Sequence, residues 1–261
     1  MAENVGFVKC FLKGVVEKAS YRKLVANLYF VYSAIEEEMQ RLRNHPIVSK
    51  IYFPELDRKA SLERDLTYYY GLDWRDKIAP SPAAQEYVQR IRDISANNPE
   101  LLAAHSYTSY LGDLSGGQIL KGIAQRGMNL TDGNGTAFYE FETISDEKAF
   151  KTKYRQSLDE FPVDEATADR IVDEANHAFG LNMKLFQELE GNLVKAIGRM
   201  LFNSNARTTP PENANQSSNA SFSPRLQCLR CYLDPNGGCY IRPPMARIPI
   251  RAAPPMPVGW R

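Results

Sequence analysis

YLGDLSGGQ, residues 110–118, holds three glycines and an aspartate between two segments that read as helix. Upstream lies PELLAAHSYTSY, with Pro99 suited to a first helical position and Asn98 to its cap. Downstream, QILKGIAQ is again apolar at helical spacing. A glycine inside a helix costs roughly 1 kcal/mol relative to alanine. A helix through Gly112, Gly116 and Gly117 therefore gives up a few kcal/mol, and something must offset it. Three readings are open. A phosphate cradle needs G-x-x-x-x-G-K-[ST], or G-x-G-x-x-G after a strand. Here Gly117 is followed by Gln118 and the preceding segment is helical, so that reading is poor. A plain turn between two helices would also use glycine. The third is close approach of backbone to a flat ligand, which only residues without a Cβ allow.

The neighbours favour the third reading. Tyr107, Thr108, Asp113 and the Gly112/Gly116 pair recur at helical spacings, so several can face one cleft. Lys151, Tyr154 and Arg155 stand at i, i+3, i+4 and share a face. A lysine and an arginine one turn apart suit a pair of ligand carboxylates.

Outward from this stretch the chain reads as amphipathic helices. SYRKLVANLYFVYSAIEEEMQRLRNH places Leu24, Leu28, Tyr32, Ile35, Met39 and Leu42 on one face, with Ser20 as cap. SLERDLTYYYG begins at Ser61 and stops at Gly71. PAAQEYVQRIRDISANN sets Tyr87, Val88, Ile91 and Ile94 on one side. SDEKAFKTKYRQSLDEF opens on Ser145 and two acids, which suit a helix N-terminus. The longest run starts at Asp164 and passes Gly180 and Gly191, where it could bend. With no period-2 strand and no strand–helix alternation, the fold class is all-α.

Composition is that of an ordinary globular protein: 43% hydrophobic, 24% charged, net charge +1. Neither nucleic acid nor a membrane anchor is indicated, and no secretory leader pattern is visible. Four cysteines in 261 residues make no disulfide framework, so a reducing, cytoplasmic setting is expected. These averages conceal a seam near Asn205. Residues 206–261 hold ten of the sixteen prolines, seven arginines, no lysine and two acids, a net +5 against −4 for the rest. Such a segment cannot bury enough apolar area to offset chain entropy and is expected to be disordered. Residues 1–205 form the expected helical domain. Cys228, Cys231 and Cys239 lack a fourth partner for zinc within the tail.

YTSYLGDLSGGQILKGIAQ closely resembles the signature of haem oxygenases, particularly the soluble type of cyanobacteria and plastids. ENVGF, LYFVYSAIEEEM, YFPEL, RKASLERDL and FKTKYRQSLDEFP extend the likeness over residues 1 to about 204. The resemblance implies an all-helical fold that holds haem b between a proximal and a distal helix. It implies oxidative opening of haem at the α-meso carbon to biliverdin IXα, CO and Fe2+, with O2 and electrons from ferredoxin. Gly112 and Gly116 match the distal-helix glycines that let backbone lie against the haem face. Asp113 matches the carboxylate that orders distal water. Tyr32, Tyr87, Thr108 and Asn182 match the distal hydrogen-bond network. Tyr107, Lys151 and Arg155 match residues that steer the haem propionates, and Phe179 an aromatic wall.

The sequence also departs from the family pattern. The axial histidine belongs to His-x-x-Ala-Glu, which places it two residues before Met1, with Ala2 and Glu3 matching the end of the motif; Glu3 is counted with the haem-contacting residues. Ser109 stands where the family usually has arginine. His45, His105 and His177 are poor replacements for the ligand, since His105 and His177 each lie two residues from a pocket position and turn away from it. A haem-binding relative impaired in turnover is therefore the alternative reading. A di-iron oxidase is the haem-free rival: Glu174 and His177 form one Glu-x-x-His unit, but such sites need two.

Overall fold

The computed structural model describes residues 11, 16–131 and 133–204, with side chains through residue 189. Among the described residues all regular structure is helical, as the sequence predicts. We number the α-helices α1 (Lys18–Arg41), α2 (Val48–Ile51), α3 (Lys59–Tyr70), α4 (Pro82–Asn97), α5 (Leu102–Ser106), α6 (Gly112–Met128), α7 (Glu147–Asp159) and α8 (Glu165–Ser204). The Pro/Arg-rich tail, residues 206–261, and Glu3 lie outside the described residues.

Helix α1 is the hub and packs on α3, α4, α5 and α8. Contact on several sides buries more of it than one stripe would: Val25, Val31 and Ala34 are buried beside the expected Leu24, Tyr32, Ile35 and Met39, while Leu28 and Leu42 are half-buried. Ile35 of α1, Leu62 and Leu66 of α3 and Ile91 of α4 are fully enclosed. Each such side chain contributes about 1.5–3 kcal/mol.

The helix starts differ from the expected caps. Ser20 lies inside the first turn of α1 and donates to Glu17. Ser61 is inside α3, whose first amides are capped from another helix: Glu36 Oε1 accepts from Arg58 N at 2.6 Å and Lys59 N at 2.9 Å. Asp146 rather than Ser145 caps α7, accepting from Ala149 N at 2.9 Å. Ser81, ahead of Pro82, caps α4. Pro99 opens a 3-10 turn, Pro99–Leu101, before α5. Gly71 ends α3 at φ 90°, as its residue type requires. Helix α8 runs unbroken through Gly180 and Gly191.

Candidate active site

The glycine stretch is not a turn. Residues 102–128 are helical throughout, and α5 passes into α6 through one π-helical segment, Tyr107–Leu111. A π segment closes i→i+5 rather than i→i+4 bonds and swells the helix by a residue per turn; such bulges occur frequently at functional sites. The swelling ends at Gly112. Among the described residues, a Cβ added at Gly112 or Gly116 meets nothing within 4 Å, whereas one at Gly117 would touch the Tyr139 ring at 3.5 Å. Gly117 is thus a packing glycine. Gly112 and Gly116 face open space on the other side and leave a strip of bare backbone.

Asp113 stands beside that strip. Its Oδ2 accepts a 2.5 Å hydrogen bond from the Tyr32 hydroxyl of α1. Burial of the carboxyl pushes its pKa up to about 7, although the Tyr32 hydrogen bond and the Arg58 charge pull the other way. Part of the Asp113 surface stays open, and we refer to this open side of α6, with Gly112 and Gly116, as the groove. Tyr32 is wedged between the rings of Tyr110, 5.7 Å away, and Phe138, 5.3 Å away, so its hydroxyl is aimed rather than free to swing.

A second group lies within electrostatic reach of the first. The buried Tyr87 hydroxyl accepts from Asn182 Nδ2 of α8 at 3.3 Å, and the Ser109 hydroxyl of the π segment also hydrogen-bonds it. Thr108 returns its hydroxyl to the Ala104 carbonyl at 2.8 Å, and nothing in the described hydrogen bonds links it to Asp113. Tyr107 and Phe179 are half-buried against the core. On α7, Lys151 donates to the Leu114 carbonyl of α6 at 3.3 Å, beside the glycines. Arg155 is exposed, and Tyr154, expected on their shared face, is fully buried with its hydroxyl 2.7 Å from Ser106 Oγ.

Arg58 is the member of this constellation that pattern reading missed. Its guanidinium is buried, donates to the carbonyls of Leu56, Phe138 and Glu140, and stacks 3.8 Å above Phe141. It is the cation that acts on Asp113. Its cue in the sequence is the cation at the head of RKASLERDL.

The histidines stay out of the groove. His105 is buried and donates from Nε2 to Glu174 Oε1 at 2.8 Å, while Nδ1 has no partner. Burial lowers its pKa, so it is a neutral imidazole protonated on Nε2. Arg90 grips the same carboxylate through Nε at 2.9 Å and its terminal nitrogen at 2.5 Å. Burial alone would raise Glu174; these two partners hold it at about 2. Glu174 is therefore committed to His105 and Arg90, His177 is exposed, and no group of three or more metal-ligating side chains occurs among the described residues. The di-iron rival has no site there. His45 accepts from Ile47 N in a loop.

A helical shell, a π-distorted helix with bare backbone and a hydroxyl-bound acid beside it make up the candidate site. The chain belongs to the haem oxygenase family: the Heme oxygenase family model matches residues 1–188. Among curated relatives, it is 74% identical over 207 residues to heme oxygenase 1 of Nostoc sp., covering 79% of this chain and 87% of that one. It is 70% identical to heme oxygenase 1 of Synechocystis sp., covering 79% and 86%. The crystal structure of heme oxygenase-1 from Synechocystis in complex with heme matches with TM-score 0.76 at 70% identity, covering 78% of this chain and 92% of that chain. Among the described residues, no helix is long and apolar enough to cross a membrane.

Proposed function

We propose that this chain is a haem-degrading enzyme that takes haem as substrate and cofactor and opens the ring at the α-meso carbon. The products are biliverdin IXα, CO and Fe2+, with ferredoxin as electron donor and the cytoplasm as setting. The bare backbone at Gly112 and Gly116, next to the Tyr32–Asp113 pair, carries this reading. A porphyrin face needs a flat, side-chain-free surface; an added Cβ at Gly112 or Gly116 meets no described atom within 4 Å, and the Asp113 acid is next to them, which supports this reading.

Bound haem supplies the iron and the ring to be oxidised; the protein supplies orientation and electrostatics. Gly112 and Gly116 would let the main chain approach the ring. Asp113, poised near neutrality, holds or gives up a proton at Oδ2, and Tyr32 fixes the direction of that oxygen. Tyr87, Asn182, Ser109 and Thr108 would form polar surroundings for the bound ligand. Tyr107, Lys151 and Arg155 orient the propionates, and Lys151 already reaches across to α6. Phe179 walls the pocket. Among the described residues, none of His45, His105 and His177 would hold the iron. The relatives favour the enzyme over the impaired binder.

Hemin titration is the direct test. A Soret band followed by conversion to biliverdin with O2 and reduced ferredoxin supports the proposal, and chromatography of the bilin isomers reads the regiochemistry. A Soret band without conversion would leave a haem binder, and no Soret band would end the haem reading.

A further inference from the structure

A row of aromatic rings runs from Asp113 to the protein surface. Tyr32, which donates to Asp113, lies 5.3 Å from Phe138, and Phe138 lies 5.1 Å from Tyr139. Tyr139 sits directly under Gly117, and Gln118 holds its carbonyl at 3.0 Å. Tyr139 and Tyr21 lie within electrostatic reach of each other. Tyr21 meets Tyr69 at 5.8 Å, and Tyr69 meets Tyr68 at 5.0 Å. All are buried except Tyr68, which is 43% exposed.

We propose that this row is an escape route for oxidising equivalents, from the groove beside Asp113 to Tyr68 at the surface. The inference rests on the haem reading above, because the oxidant must arise in the groove. Two observations support it. Ring contacts of 5.0–5.8 Å run on either side of the Tyr21–Tyr139 pair. Tyrosine, unlike phenylalanine, is readily oxidised by one electron where its proton has an acceptor, and at Tyr32 that acceptor is 2.5 Å away.

The steps balance as follows. Tyr32 gives one electron to the oxidant, of the class made by treating hemin with hydrogen peroxide, and its proton to Asp113 Oδ2. A neutral tyrosyl radical and a carboxylic acid result. One electron then passes from Tyr68 through the intervening rings to Tyr32, which recovers its proton from Asp113. Tyr68 releases its own proton to water. The Lys18 ammonium, 5.2 Å from the Tyr68 ring and 5.8 Å from that of Tyr69, disfavours positive charge there and favours this loss. A small thiol or ene-diol in solution returns one electron and one proton to Tyr68.

The test treats the hemin complex of the full chain with hydrogen peroxide and a nitroso spin trap, and locates adducts by peptide mass spectrometry. Adduct concentrates on Tyr68 in the parent chain. Tyr139→Phe and Tyr69→Phe, which keep the rings, lower it at least fivefold, with the Soret band intact. Tyr68→Phe, a surface change that folding does not feel, moves adduct to the inner tyrosines. Unchanged Tyr68 adduct in both inner variants, or equal adduct on Tyr29 and Tyr52 off the row, overturns the proposal. A Soret band with no Tyr68 adduct sinks this inference alone; no Soret band removes the haem reading and this inference with it.

Discussion

Tyr32 and Asp113, 81 residues apart in sequence, share a 2.5 Å hydrogen bond at the edge of a strip of bare backbone. The Asp113 carboxyl is pushed up to about 7 by burial, against the pull of Tyr32 and Arg58. Loss of either partner raises it further. Carboxylate carbon NMR places the Asp113 midpoint near 7 in the parent chain and higher in Tyr32→Phe; a midpoint that falls or stays would remove Tyr32 from this role.

The same shift fixes how stability depends on pH. Asp113 and Glu36 reach about 7, and Asp57 and Asp65 about 6, each pushed up first by burial. A raised carboxyl favours the folded state while protonated. Its contribution is whole below about pH 4 and is lost as pH rises through 6 to 7. Asp113→Asn keeps an acceptor for Tyr32 but does not titrate. Its melting temperature matches the parent near pH 4 and exceeds it at pH 8 by roughly 4–8 °C, on the order of 2 kcal/mol. Thermal melts of the ligand-free chain across that range check the crossover.

Glu174 behaves with the opposite sign. Held at about 2 by His105 and Arg90 against burial, it contributes stability that is present above pH 4.5 and lost as pH falls toward 2. Glu174→Gln removes the charge from a buried pair and costs about 3 kcal/mol at pH 7. In urea melts the difference from the parent narrows steadily below pH 4.5.

Gly112→Ala and Gly116→Ala separate stability from ligand fit. An added Cβ meets no described atom within 4 Å at either site, so only the helix feels it. Alanine gains roughly 0.5–1 kcal/mol per position in the ligand-free chain. Hemin affinity falls at least tenfold, about 1.4 kcal/mol, because the methyl stands where the ring would lie. A melting temperature that rises while the Soret titration weakens is the expected signature; affinity unchanged in both variants would place the ligand elsewhere.

Gly135 is the contrasting case. Its φ is +76°, and an added Cβ would stand 2.5 Å from the Tyr69 hydroxyl oxygen and 2.8 Å from Tyr68 Cδ1. Backbone strain and overlap act together there, so Gly135→Ala costs about 2 kcal/mol or more and lowers the melting temperature by several degrees.

Much of this protein was settled by residue order. Spacing of the apolar residues specifies the helices, because a buried stripe must recur each turn. Glycines at 112 and 116 specify a bare face, because no fold adds a side chain. Tertiary structure decided what short-range rules cannot reach. Ser61 is a sound cap by local preference, yet Glu36 takes the first amides of α3 because α1 carries it there. The π segment at Tyr107–Leu111 leaves no local mark, since its residues suit an α-helix. Arg58 comes within electrostatic reach of Asp113, and His105 meets Glu174, only once distant segments pack. Charges and hydroxyls acquire their strength from the water that packing excludes, and which neighbours replace that water is a property of the folded whole.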